Sequence, residues 1–225
     1  MSDTISLERF FDQIYCINLE SRPDRLAQFK ENYAALGTAA ISIVKAVNGK
    51  EIAAGDWEHG PGALGCRLSH LNIYKEALHS GYSRILVLED DVVIGRKFRA
   101  QLTQLLDCTH DDWDMIYFGG YHHLKPDPFC GKFIRLNNTL STHAIAINCR
   151  CLPALISKIE SDARWIDSVI ADLHPELKVF GFKKPIAWQR DGFSDITGTH
   201  INYRPGPYRQ VLIAIKRVLK KVVKL

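Results

Sequence analysis

Residues 84–91 read Arg-Ile-Leu-Val-Leu-Glu-Asp-Asp, an apolar run that ends abruptly in three acidic residues. Four consecutive apolar residues, Ile85 to Leu88, are typical of a strand that is buried on both faces. The three carboxylates then lie at the carboxyl end of that strand, where their like charges repel one another unless something neutralises them. The stretch therefore predicts a central strand with a polar site at its end.

Apolar runs and helical stretches alternate on both sides of this strand. The predicted strands are 14–19, 41–47, 84–88, 115–118 and 142–148. The predicted helices are 23–36, one that follows the Gly-rich turn 60–65 and ends near residue 79, 97–106 and 152–161. This alternation predicts an α/β fold with a mostly parallel central sheet flanked by helices. Ligands of such sheets bind beyond the carboxyl ends of the strands, which is where the acidic residues are expected.

The composition is that of one ordinary globular domain, with 225 residues of which 46% are hydrophobic and 24% charged. No run approaches the ~18 apolar residues of a transmembrane helix. The charge is unevenly placed, because Asp195 is the last acidic residue and seven of the 29 Lys and Arg residues follow it. We therefore expect a folded domain over residues 1–200 and a basic tail over 201–225.

The tail has a helical pattern over residues 208–225. At 100° per residue, its apolar residues fall in one half of the helical wheel, with Ile213 as the exception, and its cations in the other. This pattern predicts a C-terminal amphipathic helix that binds an anionic membrane surface, where each cation contributes ~1 kcal/mol. The alternative is a helix packed on the domain or in a dimer. Nucleic acid is not an expected partner, because no basic patch with interleaved aromatic residues accompanies the tail.

The N-terminal sequence Met-Ser-Asp-Thr-Ile-Ser-Leu-Glu-Arg lacks the basic start and apolar stretch of a secretory signal. The six cysteines are therefore expected to be free, buried thiols. Together with the tail, these features predict a cytoplasmic protein that is peripheral at the cytoplasmic face of a membrane.

The three acidic residues suit a hard divalent cation, whose ligands are carboxylates, waters and substrate phosphates. Strand alternation would place Glu89 and Asp91 on one side and Asp90 on the other. The alternative is a solvated strand end.

The pattern also resembles that of phosphatases with a nucleophilic Asp, but Glu89 stands at the nucleophile's position, which argues against an aspartyl-phosphate mechanism. The chain has no Walker loop and no Gly-x-Gly-x-x-Gly after a strand, so neither a P-loop NTPase nor a dinucleotide dehydrogenase is supported.

Two further clusters suit an anionic ligand. The Gly-rich turn 60–65 opens a predicted helix, whose free N–H groups can hold an anion. Arg22 and Arg25 lie in a polar turn after the first strand, and arginine suits the bidentate recognition of phosphate. Taken singly, the first also fits an ordinary capped loop and the second an ordinary pair of surface arginines.

The order and spacing of these motifs resemble glycosyltransferase family 25, the group of bacterial lipooligosaccharide galactosyltransferases and collagen galactosyltransferase domains. The matching stretches fall within residues 13–196 and are Ile14–Arg25, Ala46–Gly49, Leu64–His70 and Val87–Val92. Weaker matches are Thr142–Ala144, Asp167 and Pro185–Ile196. The family usually has Ala-Val-Asp-Gly where this chain has Ala46-Val47-Asn48-Gly49, which leaves the role of Asn48 in question.

The resemblance implies a GT-A-like single domain that transfers a hexose, with galactose from UDP-galactose as the expected donor. The implied acceptor is a hydroxyl of a glycan such as lipooligosaccharide, or of a lipid-linked glycan. It also implies that Mn²⁺ or Mg²⁺, held by Glu89 and Asp91, stabilises the leaving nucleoside diphosphate. The residues expected to bind the nucleotide sugar are Asn18, Arg22, Arg25, Asn48, Gly65, His70 and Asp90.

The family's inverting chemistry implies a carboxylate that takes the proton of the acceptor hydroxyl. Asp167 is the first candidate for this base. Asp195 is the second, unless it completes the metal site. His122 and His123 are expected on a loop near the acceptor. Two alternatives are a catalytically silent sugar-binding or scaffolding relative and a metal-dependent phosphohydrolase.

Overall fold

The computed structural model describes residues 5–37, 40–52 and 57–203. The helices in these ranges are α1 (Leu7–Phe10), α2 (Pro23–Ala34), α3 (Gly60–His79), α4 (Phe98–Thr109), α5 (Leu152–Ser161) and α6 (Ile166–Ala171). The strands are β1 (Gln13–Asn18), β2 (Ser42–Lys45), β3 (Arg84–Glu89), β4 (Val92–Ile94), β5 (Met115–Tyr117), β6 (Tyr121–His122), β7 (Asp127–Pro128), β8 (Phe133–Arg135), β9 (Thr139–Leu140), β10 (Ala144–Asn148), β11 (Val179–Phe182), β12 (Ala187–Gln189), β13 (Gly192–Ser194) and β14 (Thr199–Ile201). Short 3-10 turns lie at Gly49–Glu51 and Cys149–Cys151.

Eight strands form one central sheet in the order β2-β1-β3-β10-β5-β11-β8-β7. Six of them run in the same direction, and β10 and β8 run against them. The predicted α/β fold with a mostly parallel sheet flanked by helices is therefore confirmed. The reversal of β10 has a simple cause, because no helix lies between β5 and β10 and a parallel return needs a crossover connection.

Alternate side chains of β3 pack into two separate hydrophobic cores, one on each face of the sheet. Ile85 and Val87 pack with apolar residues of α3, α5 and α6. Leu86 and Leu88 pack with apolar residues of α2 and α4 on the opposite face. All four side chains are fully buried, as the uninterrupted apolar run predicts for a strand covered on both sides.

The three parallel strands β1, β2 and β3 end at the same edge of the sheet. Their last residues are Asn18, Lys45 and Glu89. The helix α2 begins directly after this edge at Pro23, a residue whose fixed φ suits the first turn of a helix. Polar side chains after β1 and β3 are thereby brought together from positions about 70 residues apart.

Two cysteines correct the expectation of free thiols. Cys108 of α4 is bonded to Cys130, which precedes β8, with a Cα–Cα distance of 6.4 Å. Packing of α4 against the loop before β8 brings the pair together, and nothing in the sequence spacing indicates it. Among the described residues, the free cysteines are Cys16, Cys66, Cys149 and Cys151.

The basic tail lies outside the described residues from position 204 onward. Its amphipathic helix over residues 208–225 and the domain boundary at residue 200 therefore stay predictions. Within the described ranges, no helix combines the length and the apolar character needed to cross a bilayer.

Candidate active site

A pocket opens at the carboxyl ends of β1, β2 and β3, where the parallel strands predict a site. Its wall contains the acidic residues after β3, part of α3, the loop 46–50 and the segment 189–203. Of the residues predicted from the sequence, those in the wall are Arg25, Asn48, His70, Glu89, Asp90, Asp91 and Asp195. Asn18, Arg22 and Gly65 lie directly behind them, in contact with wall residues.

Glu89 points to α3 and is held by two hydrogen bonds. Thr142 Oγ1 donates to Glu89 Oε1 at 2.7 Å, and His70 Nε2 lies 3.3 Å from the same oxygen. Burial opposes ionisation of Glu89, but the hydrogen bonds from His70 and Thr142 outweigh it, so the pKa of Glu89 is lowered. Glu89 therefore stays a carboxylate although its environment is buried.

Asp90 points to α2 and is also fully engaged. Asn18 Nδ2 donates to its Oδ2 at 2.7 Å, and Arg25 Nη1 donates to its Oδ1 at 3.0 Å. Burial raises the pKa of Asp90, and the charge of Arg25 partly offsets that effect. Asn18 thus contacts Asp90 in this structure, and its predicted contact with the nucleotide stays a prediction.

Asp91 differs from its two neighbours because one of its oxygens has no partner. Its side chain is buried, and Oδ1 receives no hydrogen bond from the described residues. Arg25 Nη2 lies 3.6 Å from the other oxygen. Burial and the charge of Glu89 raise the pKa of Asp91. Asp91 lines the pocket, and a buried carboxylate oxygen that lacks a donor is a position that a cation would satisfy.

Two arginines balance the acidic residues. Besides Asp90 and Asp91, Arg25 approaches Asp195 at 3.7 Å and donates to the carbonyl oxygen of Phe193 at 2.9 Å. Arg22 Nη1 donates to Asp195 Oδ2 at 2.5 Å. Arg22 and Arg25 thus tie the start of α2 to the segment 189–203, and they place positive charge where an anionic ligand would enter.

Two glycines let the loop 46–50 approach α3 backbone to backbone. A Cβ at Gly49 would lie 1.8 Å from the carbonyl oxygen of Pro61, and one at Gly65 would lie 2.4 Å from that of Val47. No side chain fits at either distance. Gly65 therefore shapes the pocket wall, and it has no side chain with which to bind a ligand.

Asn48 caps the short 3-10 turn that follows β2. Its Oδ1 accepts from the Lys50 amide at 3.2 Å, and its Nδ2 donates to Glu51 at 2.7 Å. An Asp at this position would repel Glu51, whereas Asn binds it. The departure from the family's usual Asp is thus accommodated locally, and Asn48 still lines the pocket.

The two candidate bases occupy different positions. Asp195 is in the pocket wall. Asp167 is not among the wall residues, and both of its oxygens accept main-chain hydrogen bonds, from Ser141 at 3.2 Å and Ser168 at 2.7 Å. Ser141 has a φ of 82°, so Asp167 stabilises a left-handed turn directly before Thr142.

His122 and His123 also lie away from the pocket wall. His122 is in β6, where its Nδ1 lies 2.8 Å from Thr139 Oγ1, and burial lowers its pKa. His123 is exposed and bonds through its main chain to Asn138.

Several residues of the pocket were not among the predicted site residues. Thr142 and Gln189 fall in the weaker stretches of the family resemblance, which offered a signal for both. Cys66 lies inside the Leu64–His70 motif. No sequence pattern indicated Tyr203, because it reaches the pocket only where the segment 189–203 folds back to it. Burial and the charge of Asp91 raise the pKa of Tyr203 to about 12.

A sequence model of one protein family matches residues 11–148 of the chain, and that family is described as glycosyltransferase family 25 (LPS biosynthesis protein). The chain belongs to glycosyltransferase family 25. The match includes β1, the loop 46–50, α3 and the acidic residues after β3, so the residues that form most of the pocket are those that place the chain in the family.

Curated relatives match about half of this chain. A glycosyltransferase 25 family member from Aedes aegypti is 32% identical over 126 residues, 47% of this chain and 21% of the relative. Human procollagen galactosyltransferase 2 is 32% identical over 130 residues, 48% of this chain and 21% of the relative. The human inactive glycosyltransferase 25 family member 3 is 33% identical over 132 residues, 48% of this chain and 22% of the relative. The matched region thus spans about a fifth of these family 25 relatives, which include both galactosyltransferases and inactive members.

Among solved structures, the chain is similar to a glycosyltransferase involved in the glycosylation of the major capsid of PBCV-1. The sequence identity is 11% and the TM-score 0.47, over 79% of this chain and 91% of that chain. This likeness is too low to indicate an activity.

Proposed function

We propose that this family 25 protein is a metal-dependent, inverting glycosyltransferase that moves galactose from UDP-galactose to a hydroxyl of a glycan acceptor such as lipooligosaccharide. The observation that carries the proposal is the unpartnered oxygen of Asp91, buried beside Glu89 and Asp90 in a pocket that also holds Arg25. Family membership supports the reaction class, and the galactosyltransferases among the relatives support the sugar.

The residues present fit a hard divalent cation. The pKa of Glu89 is lowered, which favours its carboxylate form, and Asp91 lines the pocket with one oxygen that has no donor among the described residues; carboxylate oxygens suit Mn²⁺ and Mg²⁺. Asp91, with Glu89 directly or through water, would hold the ion. When bound, it supplies positive charge against the negative charge that develops on the leaving nucleoside diphosphate.

The arginines are proposed to bind the anionic part of the donor. Arg22 and Arg25 already hold Asp195 and Asp90, so a diphosphate would share or replace carboxylates as their partner. Asn48 and His70 would complete the donor side of the wall. Asp90, held by Asn18 and Arg25, is positioned to accept hydrogen bonds from hydroxyls of the ribose or the sugar.

The proton of the acceptor hydroxyl is proposed to pass to Asp195. Of the two candidates, Asp195 lines the pocket. Asp167 is not in the pocket wall, and both of its oxygens accept hydrogen bonds from main-chain amides. Asp167 is accordingly given a positioning role, because it holds the turn that presents Thr142 to Glu89.

The test of the metal assignment is UDP release from UDP-galactose with and without Mn²⁺, in the wild type and in Asp91→Asn. The variant removes one charge from the proposed ligand set, so we expect Mn²⁺-dependent turnover to fall by roughly 100-fold or more. Glu31→Gln, an acid-to-amide change on the exposed side of α2, is the matched control. Equal turnover in Asp91→Asn and the wild type would refute the metal site.

A catalytically silent relative is the second candidate function, because an inactive human member is as similar to this chain as the galactosyltransferases are. A thermal-shift panel of nucleotide sugars with Mn²⁺ separates the two. Stabilisation by UDP-galactose supports the transferase, since a ligand that binds the folded state raises its melting temperature. No stabilisation by any nucleotide sugar would favour the silent relative.

For the tail, we propose that residues 208–225 bind the anionic cytoplasmic face of a membrane and so bring the protein to a lipid-linked acceptor. Its six cations oppose one apolar face by sequence, and Tyr203, the last described residue, lines the pocket. Anionic liposomes should retain the full chain and release a chain ending at residue 207. Equal retention of both, or retention of both by neutral liposomes, would contradict the proposal.

A further inference from the structure

The pocket wall contains a second set of metal-ligating side chains, distinct in chemistry from the acidic residues. Cys66 and His70 lie four residues apart on α3, so they project from one face of the helix. Glu89, at the end of β3, meets that face. Each residue offers one donor atom, and the three atoms lie within 4.8 Å of one another. We propose that this Cys66–His70–Glu89 group binds a soft divalent cation such as Zn²⁺ and that the bound ion closes the pocket to the donor.

The geometry of the group is close to that of a zinc site. His70 Nε2 and Glu89 Oε1 are 3.3 Å apart, and two ligands at Zn–N and Zn–O bond lengths in a tetrahedron are separated by about 3.3 Å. The sulfur belongs about 3.6 Å from each of the other two atoms, so from at most 4.8 Å it needs to move by roughly 1.3 Å or less. Rotation of the Cys66 side chain can supply such a movement, and water from the pocket that the three residues line would take the fourth position.

The donor atoms select the kind of cation. Thiolate and imidazole favour Zn²⁺, whereas carboxylate and water favour Mn²⁺ and Mg²⁺. On binding, the Cys66 thiol loses its proton to solvent and the thiolate sulfur bonds to the metal. Glu89 belongs both to this group and to the proposed Mn²⁺ ligands, so a soft cation would take a ligand from the hard one.

The surroundings of His70 suit ligation by its Nε2. The hydroxyl of Tyr74 lies 3.3 Å from His70 Nδ1 and is fully buried. A hydroxyl can donate or accept, so it can accept from Nδ1–H when Nε2 binds a metal. Tyr74 is therefore a positioning residue for the cation site, in the way that outer partners orient metal-bound histidines.

Binding of the cation does not depend on the transferase, but closure of the pocket to the donor rests on the proposed function. Cys66, His70 and Glu89 lie in the same wall as Arg25, Asp90 and Asp91. An ion among them would occupy space next to the arginines and displace the donor or its metal.

The direct test is titration of the full chain with Co²⁺, which reports a thiolate ligand by a sulfur-to-cobalt charge-transfer band. We expect the band to saturate at one equivalent, to disappear when Zn²⁺ is added, and to be lost in Cys66→Ser. Cys149→Ser, at a buried free cysteine outside the pocket, should keep the band. Asp91→Asn should keep it too, because Asp91 is not one of the three ligands. No band in the wild type, or an unchanged band in Cys66→Ser, would overturn the proposal.

A second measurement covers the case in which Cys66→Ser fails to fold. In the wild-type chain, Cys66 is half-buried and the other three free cysteines are buried, so alkylation by iodoacetamide can be mapped to each by mass spectrometry. Zn²⁺ should slow alkylation of Cys66, and an unchanged rate would contradict binding there. Tyr74→Phe should raise the Zn²⁺ Kd by roughly 10- to 100-fold, and an unchanged Kd would refute its positioning role.

The same experiments separate this inference from the proposed function. A cobalt band in a protein that turns over no nucleotide sugar would support the cation site and count against the transferase. Mn²⁺-dependent turnover that Zn²⁺ leaves unchanged, in a protein that shows the band, would refute closure of the pocket.

Discussion

Two buried polar clusters in this protein are built in opposite ways. In the pocket, Glu89, Asp90 and Asp91 are balanced by arginines, and one oxygen of Asp91 has no donor among the described residues. Beneath the sheet, His174 accepts a hydrogen bond from the Thr139 amide at 3.3 Å and lies 3.1 Å from the hydroxyl of Tyr117.

This difference indicates which of the two clusters has its charges and hydrogen-bonding groups satisfied without a ligand. The His174 cluster is neutral, and both ring nitrogens have partners, so its contribution is to stability. The pocket contains adjacent like charges and an unpartnered acceptor, which cost stability unless a ligand compensates for them. We therefore expect changes in the pocket to act on turnover and changes in the His174 cluster to act on stability.

The largest effect is expected for Asp195→Asn. If Asp195 takes the acceptor proton, kcat with UDP-galactose and acceptor should fall by about 10²- to 10⁴-fold while the KM for the donor changes little. Asp167→Asn is the matched comparison, because it removes a carboxylate that binds main-chain amides. We expect it to lower the free energy of unfolding more than Asp195→Asn does. A larger loss of kcat in Asp167→Asn than in Asp195→Asn would reverse the assignment of the base.

Arg25→Ala should destabilise the fold strongly even though Arg25 belongs to the pocket. It leaves Asp90 and Asp91, both buried, without their cation, and breaking a buried ion pair costs about 4 kcal/mol. Urea denaturation measures the change. Arg22→Ala removes an arginine bound to the more exposed Asp24 and Asp195 and should cost about 1 kcal/mol. Equal losses of unfolding free energy in the two variants would show that burial of the acidic residues does not determine how much each arginine contributes to stability.

A pH effect on stability is expected from His174. Burial lowers the pKa of His174 to about 4, against about 6.5 in the unfolded chain. The unfolded state therefore takes up a proton first as the pH falls. The contribution of His174 is fully present above pH 6.5 and is lost progressively down to pH 4, by roughly 3 kcal/mol.

The measurement is the free energy of unfolding against pH, in the wild type and in His174→Gln. The variant is less stable at pH 7, and the gap between the two proteins should narrow as the pH falls from 6.5 to 4. His123→Gln, at an exposed site, serves as the control. A gap of constant size across this interval would contradict the assignment.

The sequence predicted the fold well where apolar periodicity is uninterrupted. The run Ile85–Leu88 appears as a strand at the expected position, and the predicted helix ends at His79 as expected. That helix begins earlier than predicted, at Gly60, so the predicted turn 60–65 forms its first turns. The strand Val179–Phe182 was missed, because it is short and contains Gly181. The antiparallel direction of β10 was missed as well, although the lack of a predicted helix between 115–118 and 142–148 is a signal for it.

Residues of the candidate site could be predicted from the sequence where they follow the end of a predicted strand. Glu89, Asp90, Asp91 and Arg25 fall where parallel strands end, and the structure brings them together. Asp167 stood in a similar sequence context, but only the tertiary structure shows its oxygens bound to Ser141 and Ser168. The contribution of Tyr203 depends on the return of a distant segment, which no spacing rule reveals.

The close approach at Gly49 and Gly65 limits how the pocket can be changed by evolution or by design. Where the loop 46–50 and α3 touch through backbone atoms, no side chain can be added at Gly49 or Gly65 without separating the two backbones. The segment 189–203 lines the same pocket with side chains such as Gln189, Ser194 and Tyr203, which can be exchanged without disturbing this backbone contact. A library intended to alter what the pocket binds should randomise Gln189, Ser194 and Tyr203 and keep Asp195 and both glycines fixed.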